Sequence, residues 1–492
     1  MGGIKIDIRG VRNLLNGTLI KGGIWLTVCT VISQIITFAS SSVFFRMLSV
    51  SNNGVISNYT KIMTVFTTIL TLGLTACIQR GKIEYEDKYE GFLSSILTLA
   101  TFIIVIFGAI FYAFKYQIST AIKVDEELIM LMVAHCFFLF VFQSSSIKYL
   151  TKYEYRKYFW INISYSIVAI VLSIIFIVVF EENMPMKIKT IGIAMKLWMP
   201  YNTGAYGRIY GMAIAPILYG SIFYVNQLRR GRIYINREWW KFGLMISIPM
   251  IVHSLSSTVM SYFDSIAIRQ ILGSVEVGLY DVPYKLGMLI DTFGGAINKA
   301  WVPWFFDKMK NNRYKEINKA MESYFMMFTY VFFGFIMVSP ELGYLQGGKQ
   351  YVDSFAIIPI VGLSYYFLFL YRFPSNIEFY EKKTIFITIG TVISAIVNIV
   401  LNIWLIPIYG YKIAAVTTLV SYVVQFIYHL IVVKVKFNYE FIKVKTFIVY
   451  IAISLSATIY FYVVQDNIMM RYASVLVVTL VVGIKFKNKL DS

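Results

Sequence analysis

Two lysines stand at matched places in this chain. Lys61 follows Gly54 by seven residues, and Lys285 follows Gly278 by seven. An arginine precedes each glycine, Arg46 by eight residues and Arg269 by nine. Each lysine falls inside an apolar run, about two turns or roughly 10 Å beyond its glycine. A cation in hydrocarbon persists only where water, a counter-charge or a ligand meets it, so it is a functional candidate by default. The other reading is that both side chains snorkel to the headgroups. Asp281, four residues before Lys285 on the same helical face, can neutralise that lysine. Ser57 occupies the matching place before Lys61, which keeps its charge on this reading.

Other polar residues interrupt apolar runs in the same way. Arg46, Arg269 and Asp264 lie near helix ends, as interface anchors, interlobe ion pairs or gates. Arg80 and Lys82 close the second apolar run. Asp291 sits in mid-helix, either as a coupling-ion or proton site or as a partner for Lys285, six residues away and poorly phased for a helix pair. Arg372, beside Tyr371, either lines a lumen or caps its helix. Asn398 and Asn402 are four apart and share a face; such pairs often knit membrane helices together. Gln34, Gln143 and Gln425 carry the same ambiguity. Cys29, Cys77 and Cys136 form no CxxC pair and read as packing residues. His135, His253 and His429 are isolated in apolar runs, so neither a zinc site nor any other metal or cofactor is implied.

The elements that must hold these residues follow from composition. Of 492 residues, 58% are apolar and 14% charged, against roughly 25% charged in a soluble domain. A soluble enzyme, a disordered chain and a single-span receptor are excluded. Fourteen apolar runs are long enough for a core of ~30 Å, from about 20–45 to a closely spaced pair at about 446–464 and 468–484. Backbone groups in lipid must pair within each span, and the runs are continuous rather than alternating, so helices are expected and a barrel is not. Residues 1–21 look uncleaved, and the first run reads as a signal-anchor span. The connector at about 181–204, with Met184, Pro185, Trp198 and Pro200, reads as an amphipathic piece along the interface.

Charge fixes the expected orientation. The net charge is +19, from 45 Lys+Arg against 26 Asp+Glu. Segments on the N-terminal side of the membrane hold 32 of the basic residues and the alternate loops hold 12. One miscounted helix would swap every later loop, so both termini are expected to be cytoplasmic. The same bias accounts for the basic balance without nucleic acid. No GxxxxGK[ST] sequence occurs, and no loop is large enough for an ATPase or glycosyltransferase head.

The second half echoes the first. Phe45-Arg46-Met47-Leu48, Gly54 and Lys61 have counterparts in Ile268-Arg269-Gln270-Ile271, Gly278 and Lys285. Six spans separate the copies, which is a parallel repeat about an axis along the membrane normal. Further stretches then carry a family resemblance: Leu72-Gly73-Leu74 with Ile78-Gln79-Arg80, Ser261-Tyr262-Phe263-Asp264-Ser265, Glu276-Val277-Gly278-Leu279-Tyr280, Ala300-Trp301-Val302-Pro303, and Ile406-Pro407-Ile408-Tyr409-Gly410. Over roughly residues 20–435 the chain resembles the polysaccharide-unit (Wzx-type) flippases of the multidrug/oligosaccharidyl-lipid/polysaccharide exporter superfamily.

The resemblance implies an all-α polytopic membrane protein of about 14 helices. It would comprise a cytoplasmic segment 1–19, an N-lobe 20–228, a basic interlobe loop 229–240, a C-lobe 241–433, and two C-terminal helices with a tail, 434–492. The implied activity is transport without catalysis. A polyprenyl-pyrophosphate-linked oligosaccharide, expected to be undecaprenyl-linked, would cross the bacterial cytoplasmic membrane by alternating access for O-antigen, lipopolysaccharide or capsule synthesis. Membrane lipids, a polysaccharide polymerase and glycosyltransferases are the other partners this implies. The pyrophosphate would need Lys or Arg facing a wet lumen, which singles out Lys61, then Lys285, Arg46, Arg269, Arg80 and Arg372. The sugar would need amides and hydroxyls, as at Asn398 and Asn402. A cation-coupled drug or metabolite exporter of the same fold is the alternative. It would need a carboxylate-lined site, and the first two spans contain no Asp or Glu. A membrane polymerase or ligase fits less well, because no large external loop is present.

Overall fold

The computed structural model describes residues 28–29, 32–180 and 204–490. The readings made for segment 1–19, the start of the first run and the connector at 181–203 fall outside them. Among the described residues the chain is helical, with no strand. The helices are α1 (32–47), α2 (Val50–Leu70), α3 (Thr75–Glu84), α4 (Tyr89–Ala113), α5 (Lys115–Ile122), α6 (Glu126–Thr151), α7 (Tyr155–Phe180) and α8 (Gly204–Gly231). They continue as α9 (Arg237–Ile271), α10 (Ser274–Lys310), α11 (Tyr314–Met337), α12 (Ser339–Gly347), α13 (Ile358–Tyr380), α14 (Thr384–Tyr409), α15 (Ile413–Ile431), α16 (Val444–Val464) and α17 (Ile468–Leu490).

Nine described helices are long and apolar enough to cross a bilayer, or ten if the bent pair α2–α3 is one span. Fourteen spans are expected; the first lies partly outside the described residues, and three further helices stand outside the nine for a physical reason. Helices α9 and α10 have 35 and 37 residues, about 52 Å and longer at ~1.5 Å per residue. They also carry Asp264, Arg269, Asp281, Lys285 and Asp291, which dilute their apolar character. The apolar part of α17 is short, Ile468–Val482.

Two compact units divide the chain. Unit 1 is Met1–Leu48 with Asn58–Leu255, and unit 2 is Ser49–Ser57 with Ser256–Ser492. In unit 1, α8 packs against α4, α6 and α7. Gly207 and Gly211 let its backbone approach Phe176, Ile177 and Ser173 of α7 closely, the usual way membrane helices gain contact. In unit 2, α13 packs against α10, α11, α14, α15 and α16. Its aromatic core includes Phe328 stacked on Phe369 at 3.7 Å and Phe325 edge-on to Phe373 at 4.7 Å.

The helices are inside-out relative to those of a soluble protein. On α14 the buried positions include Gly390, Thr391, Ser394, Asn398 and Asn402, while Ile389, Ile396, Val400, Ile403 and Trp404 are exposed. Polar groups seek partners inward because the solvent at the outer face is hydrocarbon.

Candidate functional site

The repeat found in the sequence meets itself within unit 2. Gly54 of α2 lies so close to α10 that a Cβ there would collide with the Ser274 carbonyl, and a Cβ on Gly278 would collide with the Val50 carbonyl. Helix backbones in this contact require glycine. Polar bonds flank the crossing. The Ser51 and Ser274 hydroxyls share a bond of 2.9 Å, and Asn53 donates its amide to the Tyr351 hydroxyl at 2.9 Å. The Ser57 hydroxyl donates to Asp281 Oδ1 at 2.7 Å. Ser57 and Asp281 each stand three residues past their glycine, so equivalent positions of the two copies touch.

One turn further on are the two lysines. Lys285 Nζ lies 3.3 Å from Asp281 Oδ2, the ion pair that the spacing of four suggested. Asp281 is buried, whereas the Lys285 side chain is 41% exposed. Lys61, in unit 1, is only 7% exposed, so its ammonium is held within the protein.

Asp264 is the most enclosed carboxylate of the set, at 1% exposure. Asn398 and Asn402 donate amides to its Oδ1 at 2.9 and 2.7 Å. The Tyr280 hydroxyl donates to Oδ2 at 2.9 Å, and Thr418 also donates there. Asn402 is fixed in turn by the Asn398 carbonyl at 3.1 Å and by the Thr417 hydroxyl. Among the described residues no Lys or Arg pairs with Asp264. The site is a buried carboxylate ringed by neutral donors from α10, α14 and α15. Asn398 and Asn402 are buried and turn their amides to Asp264, as expected of a polar pair that knits helices together.

Asp291 pairs with Arg372 and not with Lys285. Arg372 Nη2 lies 2.5 Å from Asp291 Oδ1, linking α13 to α10, and Asn376 donates to Asn298 at 2.8 Å two turns along. Arg372 therefore spends charge on a carboxylate, which weakens both its lumen reading and a coupling role for Asp291. Near the end of α13, His429 Nδ1 and Glu378 Oε1 lie 2.8 Å apart with both side chains fully buried.

In unit 1, Glu90 of α4 gathers Lys148 at 2.6 Å, Lys152, and the Gln227 amide at 2.9 Å, tying α4, α6 and α8 together. Arg80 is exposed in the middle of α3, and Arg46 is exposed on α1. Arg208, at the start of α8, places its guanidinium 3.5 Å from the centre of the Phe44 ring. Arg269 lies in the last turn of α9. The structure thus joins Asp264 with the two asparagines, Asp281 with Lys285, and Asp291 with Arg372. Tyr280, Thr417, Thr418, Glu378 and His429 join these polar clusters without having been singled out for them; Thr417, Thr418 and His429 showed only as polar residues within an apolar run, and Tyr280 only as part of a motif.

Polar side chains paired between long apolar helices mark a polytopic membrane protein. The solved structure "Lipid II flippase MurJ, inward closed conformation" is 16% identical, with TM-score 0.70, covering 95% of this chain and 100% of that one. An inward-facing multidrug resistance MATE family transporter of the MOP superfamily is 14% identical, with TM-score 0.62 over 85% of this chain and 99% of the other. These likenesses show the fold. A curated Haemophilus influenzae relative, described as an uncharacterized membrane protein, is 28% identical over 184 residues, which are 36% of this chain and 42% of that one. The model of the polysaccharide biosynthesis protein family matches residues 19–309, and the chain belongs to that family.

Proposed function

We propose that this protein is a flippase for polyprenyl-pyrophosphate-linked oligosaccharide units, working by alternating access in the bacterial cytoplasmic membrane. The observation that carries the reading is that Lys61, a lysine buried in an apolar helix, falls inside the segment matched by a polysaccharide-biosynthesis family. Helices α1 and α2 contain no carboxylate over their described length, so a cation there suits an anionic cargo. The likeness to a structure named as a lipid II flippase supports a lipid-linked substrate. Fourteen spans, cytoplasmic termini, and lobes at 20–228 and 241–433 belong to the same proposal.

Asp264 is the coupling residue in this scheme. Among the described residues this buried carboxylate has neutral donors and no compensating charge, and it suits a proton or a small cation. Asp291 does not, because Arg372 already compensates it. A cation-coupled exporter of drugs or metabolites is the second reading, favoured by the likeness to the MATE transporter and by Asp264. Reconstituted protein decides between them. A fluorescent polyprenyl-pyrophosphate sugar should cross vesicles containing the protein and not empty vesicles; movement of cationic drugs alone would overturn the flippase reading.

A further inference from the structure

Helix α2 ends in a break that opens a pocket wholly within unit 1. Leu72 and Gly73 both have left-handed backbones, with φ of 45° and 58°, and α3 leaves at 42° to α2. Such a break exposes backbone that must find partners, and in a membrane protein it survives where it lines a polar space. The space is a cavity of about 280 Å³, and its polar lining includes Thr68, Thr71, Thr75, Gln79, Gln143 and Ser254.

Three features of this lining point to one chemistry. Among the described residues it contains no Asp, Glu, Lys or Arg, so it suits neither a phosphate nor a cationic drug. Its described side chains are mainly hydroxyls and carboxamides, with Ile147 the one large apolar member among them and no aromatic ring, which disfavours a hydrophobic ligand. Gln79 and Gln143 are exposed, and among the described residues no hydrogen bond engages either carboxamide. Gln143 lies 17 residues into the span Glu126–Thr151, where an amide facing lipid would be costly. It must face water or a polar ligand. The cavity is slightly smaller than the ~300 Å³ at the low end of small-molecule sites, which matches one sugar ring rather than a whole repeat unit.

We infer that this pocket is a carbohydrate subsite, in which the carboxamides of Gln79 and Gln143 and the threonine hydroxyls hydrogen-bond the hydroxyls of one pyranose ring of the cargo. The inference rests on the flippase reading, since it names where the uncharged part of that cargo sits.

The test compares two probes on the purified full chain in lipid nanodiscs: polyprenyl pyrophosphate alone, and the same lipid carrying one N-acetylhexosamine. Wild type should hold the sugar-bearing lipid about 10-fold more tightly, as two neutral hydrogen bonds would give. Gln79→Met with Gln143→Met should erase that margin while leaving affinity for the bare lipid unchanged, which also shows that the variant is folded. Thr68→Val, a change of nearly constant shape, should reduce the margin about 3-fold without disturbing the fold. A margin that survives both variants overturns the subsite. Equal binding of the two probes by wild type also overturns it and leaves the flippase reading standing. Binding of neither probe by wild type removes the flippase reading and the subsite together.

Discussion

Lys61 and Lys285 hold equivalent places, yet only Lys285 has a carboxylate four residues before it, and the structure joins that pair at 3.3 Å. The difference sets the first expectation. Lys61→Ala should stop export of lipid-linked sugar and Lys61→Arg should retain much of it, because a phosphate needs positive charge within reach more than one donor geometry. Lys285→Ala removes the ion pair that compensates the buried Asp281 carboxylate, and Asp281→Asn in that background should restore part of the activity. Surface polysaccharide in a flippase-deficient strain, at matched protein level, measures all of these. Wild-type export from Lys61→Ala would show that this lysine serves no cargo. Asp264→Asn should keep cargo binding and lose gradient-driven transport; gradient dependence equal to wild type in vesicles would remove it as the coupling residue. The ion pair of Asp281 and Lys285 was legible because a spacing of four fixes a helical face. The Asp264 cluster was not, because Asn398 and Asn402 lie 134 and 138 residues away in sequence, and only the packing of α9 against later helices brings them together.

Helices in this protein are joined by two devices, close backbone contact and buried polar pairs. The contact of α2 with α10 depends on Gly54 and Gly278, where any side chain meets a carbonyl. Gly54→Leu should therefore destabilise by ~3 kcal/mol or more, as overpacking at a fixed backbone does, and lower the thermal midpoint in detergent; an unchanged midpoint would mean the crossing is loose. The repeated glycines were visible in the sequence, but their purpose was not, since spacing cannot say that the two copies touch. The second device is seen where α17 meets α12. Arg471 donates to Glu341 at 2.8 Å and 2.5 Å, and the guanidinium holds the Glu341 carboxyl below its usual range. A depressed folded value means that stability is present above the unfolded pKa and is lost as pH falls through the folded one. Acidification below the ordinary carboxylate range should loosen α17, read as faster amide exchange over Ile468–Val482, and Glu341→Gln should remove that pH dependence. Glu341 is partly exposed, so the effect will be modest.

At the scale of the whole chain, composition alone fixed the class, because 58% apolar residues leave only a polytopic membrane protein. The span count is harder to read, since α9 and α10 mix apolar length with the charges that carry the candidate sites. The compact units also divide inside α9, at Leu255 and Ser256, which no shift in composition marks. Orientation is the remaining whole-chain expectation, and it rests on the asymmetry of basic residues between alternate loops. Asn312 follows α10 and Asn438 precedes α16; both are exposed at turns with left-handed φ of 54°. Cysteine there costs about 1 kcal/mol of backbone strain, small enough to keep the fold. Gly347 is a poor probe for the opposite side, because it is buried against Tyr351. Lys349, two residues on, is exposed. With the native cysteines buried, an impermeant thiol reagent on intact cells should label Lys349→Cys and spare Asn312→Cys and Asn438→Cys until the membrane is opened. Labelling of Asn312→Cys in intact cells would place the α10–α11 turn outside, reverse the sign of the charge argument, and remove the basis for both cytoplasmic termini and fourteen spans.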